Sequence, residues 1–459
     1  MNAIRTSRAV FAGDLLRYGR SWGLWLLLLI VPIGSRYLVE GSAVHIAVDG
    51  HLLVMSSATV GVTIGVVVST LLLPVGFLYL RSNVTRRRAW QVEDVTPASR
   101  LAMVLGHFSA DCLVLLAALC AATLAGWILA WRADEGPLDL LQTTRATWLI
   151  ACPSLVWVAA LRQLMDAIPA TRGAWGDVLA FVCWMMVLVM PATVGERPSS
   201  LAVNMHDLAG YTRPIIGDRA LLGQDFAVGG GPVLPGRKNL DAEAGLGAAG
   251  YGASRVIWLA LGLLAAVLAG LANRPVTPRR RREPFARFAA WRGRPRHHRP
   301  PANDIPAKPS SWPMIELIST EFRLIGRGWT FKGLAAAAAL AGLFGDFRHL
   351  GSPAGLLVLV FAVSAHAGRS EAKGLLALTA TTRTSPLTRR ACFLIAGTAW
   401  ALILAVPRAV LDGSSAPLLL GAATGAATAL LAVSLAWPTK SAFTSRMVLL
   451  ILWYAYFSS

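Results

Sequence analysis

An all-α, polytopic transmembrane helical bundle is the fold class that this sequence predicts, on three observations. Of 459 residues, 55% are hydrophobic and 15% charged, with a mean hydropathy of +0.56, a composition that excludes an ordinary soluble fold. About eleven apolar runs, with ten to twelve as the bounds, approach the roughly 20 residues that cross a bilayer. Two stretches also repeat each other in the same order along the chain, as an internal duplication would.

The first element is a surface helix. Phe11, Leu15, Tyr18 and Trp22 recur at a constant offset as Ile318, Phe322, Ile325 and Trp329, and the same offset pairs Asp14 with Glu321, Gly19 with Gly326 and Arg20 with Arg327. Spacings of four, three and four put each apolar set on one helical face, with the charges off it. Each copy reads as an amphipathic helix lying on the membrane surface before a span. Spans follow at 22–39, 52–80, 104–131, 147–165, 174–194 and 255–272, then at 331–345, 353–368, 391–407, 416–436 and 446–457. The second echo comes one hairpin after each surface helix: Thr96-Pro97-Ala98-Ser99-Arg100 is matched by Ser385-Pro386-Leu387-Thr388-Arg389. Pro97 and Pro386 restrict the residues before them. Thr96 or Ser99, and Ser385 or Thr388, can cap the helix that follows, typically worth ~1 kcal/mol.

These landmarks divide the chain into a first membrane unit at 1–273, a linker at 274–312 and a second unit at 313–459. The linker is rich in Pro, and its stretch 274–299 holds ten Arg against one Glu. It reads as a topogenic connector held near anionic lipid; interleaved prolines and the lack of a binding motif argue against nucleic acid. The Arg and Lys residues after the second, fourth and eighth spans place those segments and both surface helices on the cytoplasmic side of a bacterial inner membrane, the N-terminus included. The remaining long polar region, 195–254, is expected outside as an irregular loop with at most a short helix. Its Gly231-Pro-Val-Leu-Pro-Gly236 superficially resembles a phosphate loop, but the Lys-Ser/Thr pair is missing and the prolines remove backbone donors. No cleavable signal is apparent at the first run. The five cysteines lie in or beside spans, with neither metal-ligand nor disulfide spacing, and are expected as small buried hydrophobes.

Ionisable residues inside spans are costly and often functional. His107 and Asp111 stand four apart on the third span, hence on one face, and Arg162 and Asp166 repeat that spacing at the inner end of the fourth. Asp177 and His366 lie near span ends. Gly61 with Gly65, and Gly421 with Gly425, permit close helix approach, within the bundle or at a subunit interface. Pro32, Pro74, Pro153 and Pro191 are candidate kinks. No zinc site, Ser-His-Asp arrangement or paired-carboxylate centre is visible, so catalysis by this chain is not expected.

The stretch Asp94-Val-Thr-Pro-Ala-Ser-Arg-Leu-Ala-Met-Val-Leu-Gly106 before a span resembles the cytoplasmic segment of ABC-2 type transporter permeases, where a Thr-Pro-x-Ser-Arg turn precedes a helix. Glu371-Ala-Lys-Gly374-Leu-Leu-Ala-Leu378, leading to Ser385-Pro-Leu-Thr-Arg389, is similar. The chain departs from the family at His107, where Lys is usual, at Arg86 to Arg88, and in the longer Glu-to-Pro interval of the second copy. The resemblance implies the membrane subunit of an ATP-driven exporter with two fused units. It implies no cofactor in this chain, ATP and Mg being bound by a separate ATPase subunit, in keeping with the missing phosphate-loop motif. That subunit is expected on 82–103 and 369–390, with Glu93, Pro97, Arg100, Glu371, Pro386 and Arg389 as candidate contacts. The exported substrate is not legible. The alternatives are a secondary transporter coupled to ions through His107, Asp111, Arg162 or Asp166, and a membrane-embedded enzyme or assembly scaffold.

Overall fold

The structure, a computed structural model, describes residues 3–39, 45–85, 98–133, 136–168, 171, 174–195, 197–217, 226–229, 233–273, 312–369, 384–439 and 442–458. These residues form two compact units, one closing with the helix that ends at Ala272 and the other opening at Pro313.

In the first unit, α1 (Ala3–Gly19) is followed by α2 (Trp22–Val39), then by strands β1 (His45–Val48) and β2 (His51–Leu53). Asp49 and Gly50 join the strands with φ of 53° and 76°, the two positive values that a two-residue type I′ hairpin requires and that Asp-Gly supplies at low cost. The apolar stretch assigned to a span from residue 52 therefore begins as a strand, and the helix starts only at Ser57, capped by the Ser56 side chain. That helix, α3 (Ser57–Thr70), is buried along its whole length because small and β-branched residues surround it. It bends by 44° into α4 (Leu72–Thr85). Pro74 explains the bend: lacking an N–H, it leaves the Thr70 carbonyl without its helical donor. The Trp184 indole occupies that carbonyl at 2.8 Å.

Then come α5 (Arg100–Ala133), α6 (Leu140–Ala167) and α7 (Ala174–Gly195), the short helices α8 (Leu201–Asn204), α9 (Thr212–Ile216) and α10 (Ala242–Leu246), and finally α11 (Tyr251–Ala272). The described parts of the region 195–254 hold more regular structure than expected. Besides its short helices it supplies β3 (Phe226–Gly229) and β4 (Leu234–Lys238), which complete a four-stranded sheet in the order β3-β1-β2-β4. Buried arginines hold the described stretch 197–217. Arg255 donates to the carbonyls of Leu208 (3.0 Å) and Asp207, and Arg213 to that of Arg197 at 2.6 Å. The Asp207 carboxylate accepts the N–H groups of Gly210 and Thr212 at 2.7 and 2.9 Å. Side chains thus satisfy these backbone groups where no helix does so.

The second unit contains α12 (Pro313–Ile325), α13 (Trp329–Phe344), a π-helical turn at Phe347–Gly351 running into α14 (Ser352–His366), α15 (Pro386–Asp412), α16 (Ala416–Thr439) and α17 (Ala442–Ser458). Its core gathers Ile325, Phe331, Leu359, Val363, Phe393 and Leu404.

Among the described residues, six helices are long and apolar enough to cross a membrane: Arg100–Ala133, Leu140–Ala167, Tyr251–Ala272, Phe347–His366, Pro386–Asp412 and Ala416–Thr439. The bent pair Ser57–Thr70 and Leu72–Ser82 makes a seventh if taken as one span. Apolar helices at Trp22–Arg36, Leu179–Met190, Thr330–Phe344 and Thr444–Trp453 are shorter. The fold is predominantly helical and polytopic, with a small sheet that an all-α reading omits.

Both glycine pairs serve contacts inside their own unit. A Cβ at Gly61 would meet the Thr143 carbonyl oxygen at 2.5 Å, and one at Gly65 the Ile150 side chain at 2.9 Å, both on α6. A Cβ at Gly425 would lie 2.3 Å from that of Ala401 on α15. Of the five cysteines, Cys392 is buried and Cys120 is exposed on α5.

Candidate functional site

The helix α1 docks through its polar residues rather than through an apolar stripe. On α1 the buried positions are Thr6, Asp14 and Tyr18, while Phe11 and Leu15 are half-buried and Trp22 is exposed at the start of α2. The expectation that charge lies off the packed face is therefore corrected at Asp14. Its carboxylate bonds His107 Nδ1 on α5 and also pairs with Arg17 at 3.1 Å. Burial pulls the Asp14 carboxyl upward, but the His107 bond and the charges of His107, Arg162 and Arg17 outweigh it and hold the group below its usual range.

One turn further along α1, the Tyr18 hydroxyl donates to Asp111 Oδ1 at 2.5 Å. Burial, with Asp111 beside it, pushes the Tyr18 phenol well up, so it acts as a donor. The other oxygen of Asp111 accepts from Arg162 Nη1 at 2.7 Å and Gln163 Nε2 at 2.8 Å, both on α6. Arg162 Nε lies 2.9 Å from Asp166 Oδ2, an ion pair whose atoms are not aligned for a hydrogen bond. Tyr18 also sits 5.7 Å, ring to ring, from Tyr79 on α4. One connected network thus ties α1 to α5 and α6, with an aromatic contact to the bent α4.

The structure brings His107, Asp111, Arg162 and Asp166 together: the spacing pair Arg162–Asp166 forms, while His107 and Asp111 each bond a residue on another helix. His107 bonds Asp14 on α1, and Asp111 bonds Arg162 on α6. Asp14, Tyr18 and Gln163 complete the cluster. Asp14 carries a signal in its match to Glu321, whereas helical spacing assigns Tyr18 to the apolar face and Gln163 gives no signal.

Depth follows from α5. Its 34 residues measure about 51 Å at 1.5 Å each, well beyond the ~30 Å hydrocarbon layer. Trp131, 69% exposed, suits one interface, where Trp anchors spans. Twenty residues back, roughly one membrane thickness, stands Asp111. Counted this way, Asp111 would fall near the opposite boundary, where its partners screen its charge. A second buried charge pair, Arg81 Nε to Asp177 Oδ1 at 2.9 Å, links α4 to α7, and Arg81 Nη2 also donates to the Thr171 carbonyl at 2.6 Å.

The second unit repeats the docking with different chemistry. Glu321 on α12 pairs with Arg369 at 3.6 Å; burial raises its carboxyl above the usual range against the pull of Arg369. Trp400 stands as far beyond Arg389 as Asp111 stands beyond Arg100. Its indole donates to the Phe322 carbonyl at 2.9 Å and stacks on the Phe322 ring, with centroids 4.5 Å apart and planes at 4°. Gly326 makes room, since a Cβ there would come within 2.2 Å of the indole.

Of the candidate ATPase contacts, Glu93, Pro97 and Glu371 lie outside the described residues. Arg100 opens α5, where Ser99 Oγ accepts from the Ala102 N–H at 3.4 Å. Pro386 opens α15, capped by Ser385, which accepts from the Thr388 N–H at 3.1 Å. Arg389 folds back on its own turn, donating to Thr384 Oγ1 at 3.1 Å and to the Thr384 carbonyl at 3.2 Å. No protein-family model, curated protein or solved structure matches the chain.

Proposed function

We propose that this chain is the membrane subunit of an ATP-driven exporter resembling ABC-2 permeases, driven by a separate nucleotide-binding subunit. The observation that carries the reading is the docking of each surface helix onto the helix that begins at a Ser/Thr-Pro turn: α1 on α5 and α12 on α15. A force applied at that end of α5 reaches α1 through His107 and Asp14, and reaches α6 through Asp111 and Arg162. Such coupling is what a subunit hydrolysing ATP outside the membrane requires. The matched landmarks support two fused repeats, and the seven longer and four shorter apolar segments support about eleven spans in an inner membrane. The Arg distribution supports a cytoplasmic N-terminus.

Purification of tagged protein from its native host tests this reading. A stoichiometric partner with a phosphate loop is expected, and hydrolysis should vanish when that partner's Lys is replaced. Reversing charge at Arg100 and Arg389 together should uncouple export while leaving insertion intact; unchanged association and export in that variant would count against the contact assignment. The buried Asp111 favours a second reading, a gradient-driven carrier. Both of its oxygens are engaged by Tyr18, Arg162 and Gln163, so ion coupling would have to open the network. Transport that follows a proton or sodium gradient and ignores ATP would establish it.

A further inference from the structure

The face of α1 turned away from its docking contacts has a composition of its own. Ile4, Arg5, Arg8, Ala9, Ala12, Leu16 and, just past the helix, Arg20 are exposed, and at 100° per residue they fall within an arc of about 160°. That arc holds three arginines and no acid. Asp14, the one acidic residue among 1–39, is on the opposite face with His107 and Arg17. Among the described residues, no ion pair or side-chain hydrogen bond engages Arg5, Arg8 or Arg20. Beside the arginines lie Ile4 and Leu16, 62% and 64% exposed, and after them Trp22 and Trp25, 77% and 59% exposed.

We infer that this face binds the headgroups of anionic phospholipid in the leaflet on the α1 side. Depth is the first argument: α1 packs at the height of residues 106–111 of α5, the membrane boundary set by counting from Trp131. Charge complementarity is the second, because guanidinium forks match phosphate oxygens and an acid-free cationic face is attracted to a negative surface. The third is the interleaving of Arg with Ile, Leu and Trp, whose apolar parts enter the acyl boundary while the charges remain at the phosphates. None of this depends on how transport is driven.

Native mass spectrometry of the full chain, equilibrated with equal phosphatidylglycerol and phosphatidylcholine, reads the retained-lipid ratio directly. The wild type should retain phosphatidylglycerol preferentially. Each Arg→Gln change on the face should cut that preference about fivefold, the weight of one basic residue near a charged surface. The triple change at Arg5, Arg8 and Arg20 should nearly abolish it, while Arg→Lys at the same sites should keep most of it. Changing Arg279, Arg280 and Arg281 to Gln removes the same charge from the linker and should cost much less. Equal losses in the two triple variants would reduce the effect to bulk charge and overturn the proposal. An unchanged ratio in the α1 triple would overturn it too, as would loss of a co-purifying protein with the lipid ratio intact, which would assign the face to that protein. If the triple variant fails to fold, salt titration of the wild type decides: preference surviving 0.5 M salt, where the screening length is only about 4 Å, excludes these surface arginines as its source.

Discussion

Asp111 shows how one side chain binds three helices. Its carboxylate is buried with Arg162 at 2.7 Å, their side chains 1% and 4% exposed. Removing one member of such a pair strands the other charge, at a cost of about 3–5 kcal/mol, whereas removing both is far milder. Asp111→Asn should therefore lower the unfolding midpoint in detergent markedly, and the double change Asp111→Asn with Arg162→Met should recover much of the loss. A single variant as stable as the wild type would mean that the pair does not hold the site. Asp14 and Glu321 occupy matched positions yet should respond oppositely to pH. The Asp14 carboxyl lies below its usual 3.8 in the folded chain, so its contribution is present above 3.8 and is lost as pH falls through the lowered value. The Glu321 carboxyl lies above its usual 4.5, so docking of α12 is favoured below 4.5 and weakens as pH rises through the raised value. At neutral pH, Glu321→Gln should slow hydrogen exchange in α12, and Asp14→Asn should speed it in α1. Exchange moving the same way in both helices would contradict this assignment.

Elements explain which signals were legible. The position of α1 rests on Gly106: a Cβ there would stand 2.7 Å from the Ser7 carbonyl oxygen and 2.9 Å from Val10 Cβ. Gly106→Leu should push α1 off α5 at about 1–3 kcal/mol. A cysteine placed at Val10 would then be labelled faster than in the Gly106 background, and equal labelling rates would refute the contact. The helix starts at Ser99 and Ser385 were readable because a cap needs only one oxygen near its own backbone. The Asp49-Gly50 hairpin was equally local, and its turn residues stand in the sequence. The apolar strand β2 flows into an apolar helix, however, and hydropathy merges the two. Amphipathic reading of α1 failed for a related reason. Periodicity reports which residues are apolar, while this helix docks by hydrogen bonds and charge, so Asp14 faces inward and Leu16 outward.

At the scale of the molecule, composition and the spacing of apolar runs were enough for a predominantly helical, membrane-crossing chain. The capped helix starts at Ser99 and Ser385 were legible in the same way. Those properties are one-dimensional: hydrophobic length and local capping are set within a few residues and survive any arrangement of the helices. Tertiary structure alone decided that His107 serves Asp14 and not Asp111, that both glycine pairs close helices within their own unit, and that region 195–254 joins residues 45–53 in one sheet. It also decided the difference between the halves, a charged cluster at Asp111 and an aromatic stack at Trp400. Each of these depends on a partner distant in sequence, brought within hydrogen-bond or van der Waals reach only when the helices pack.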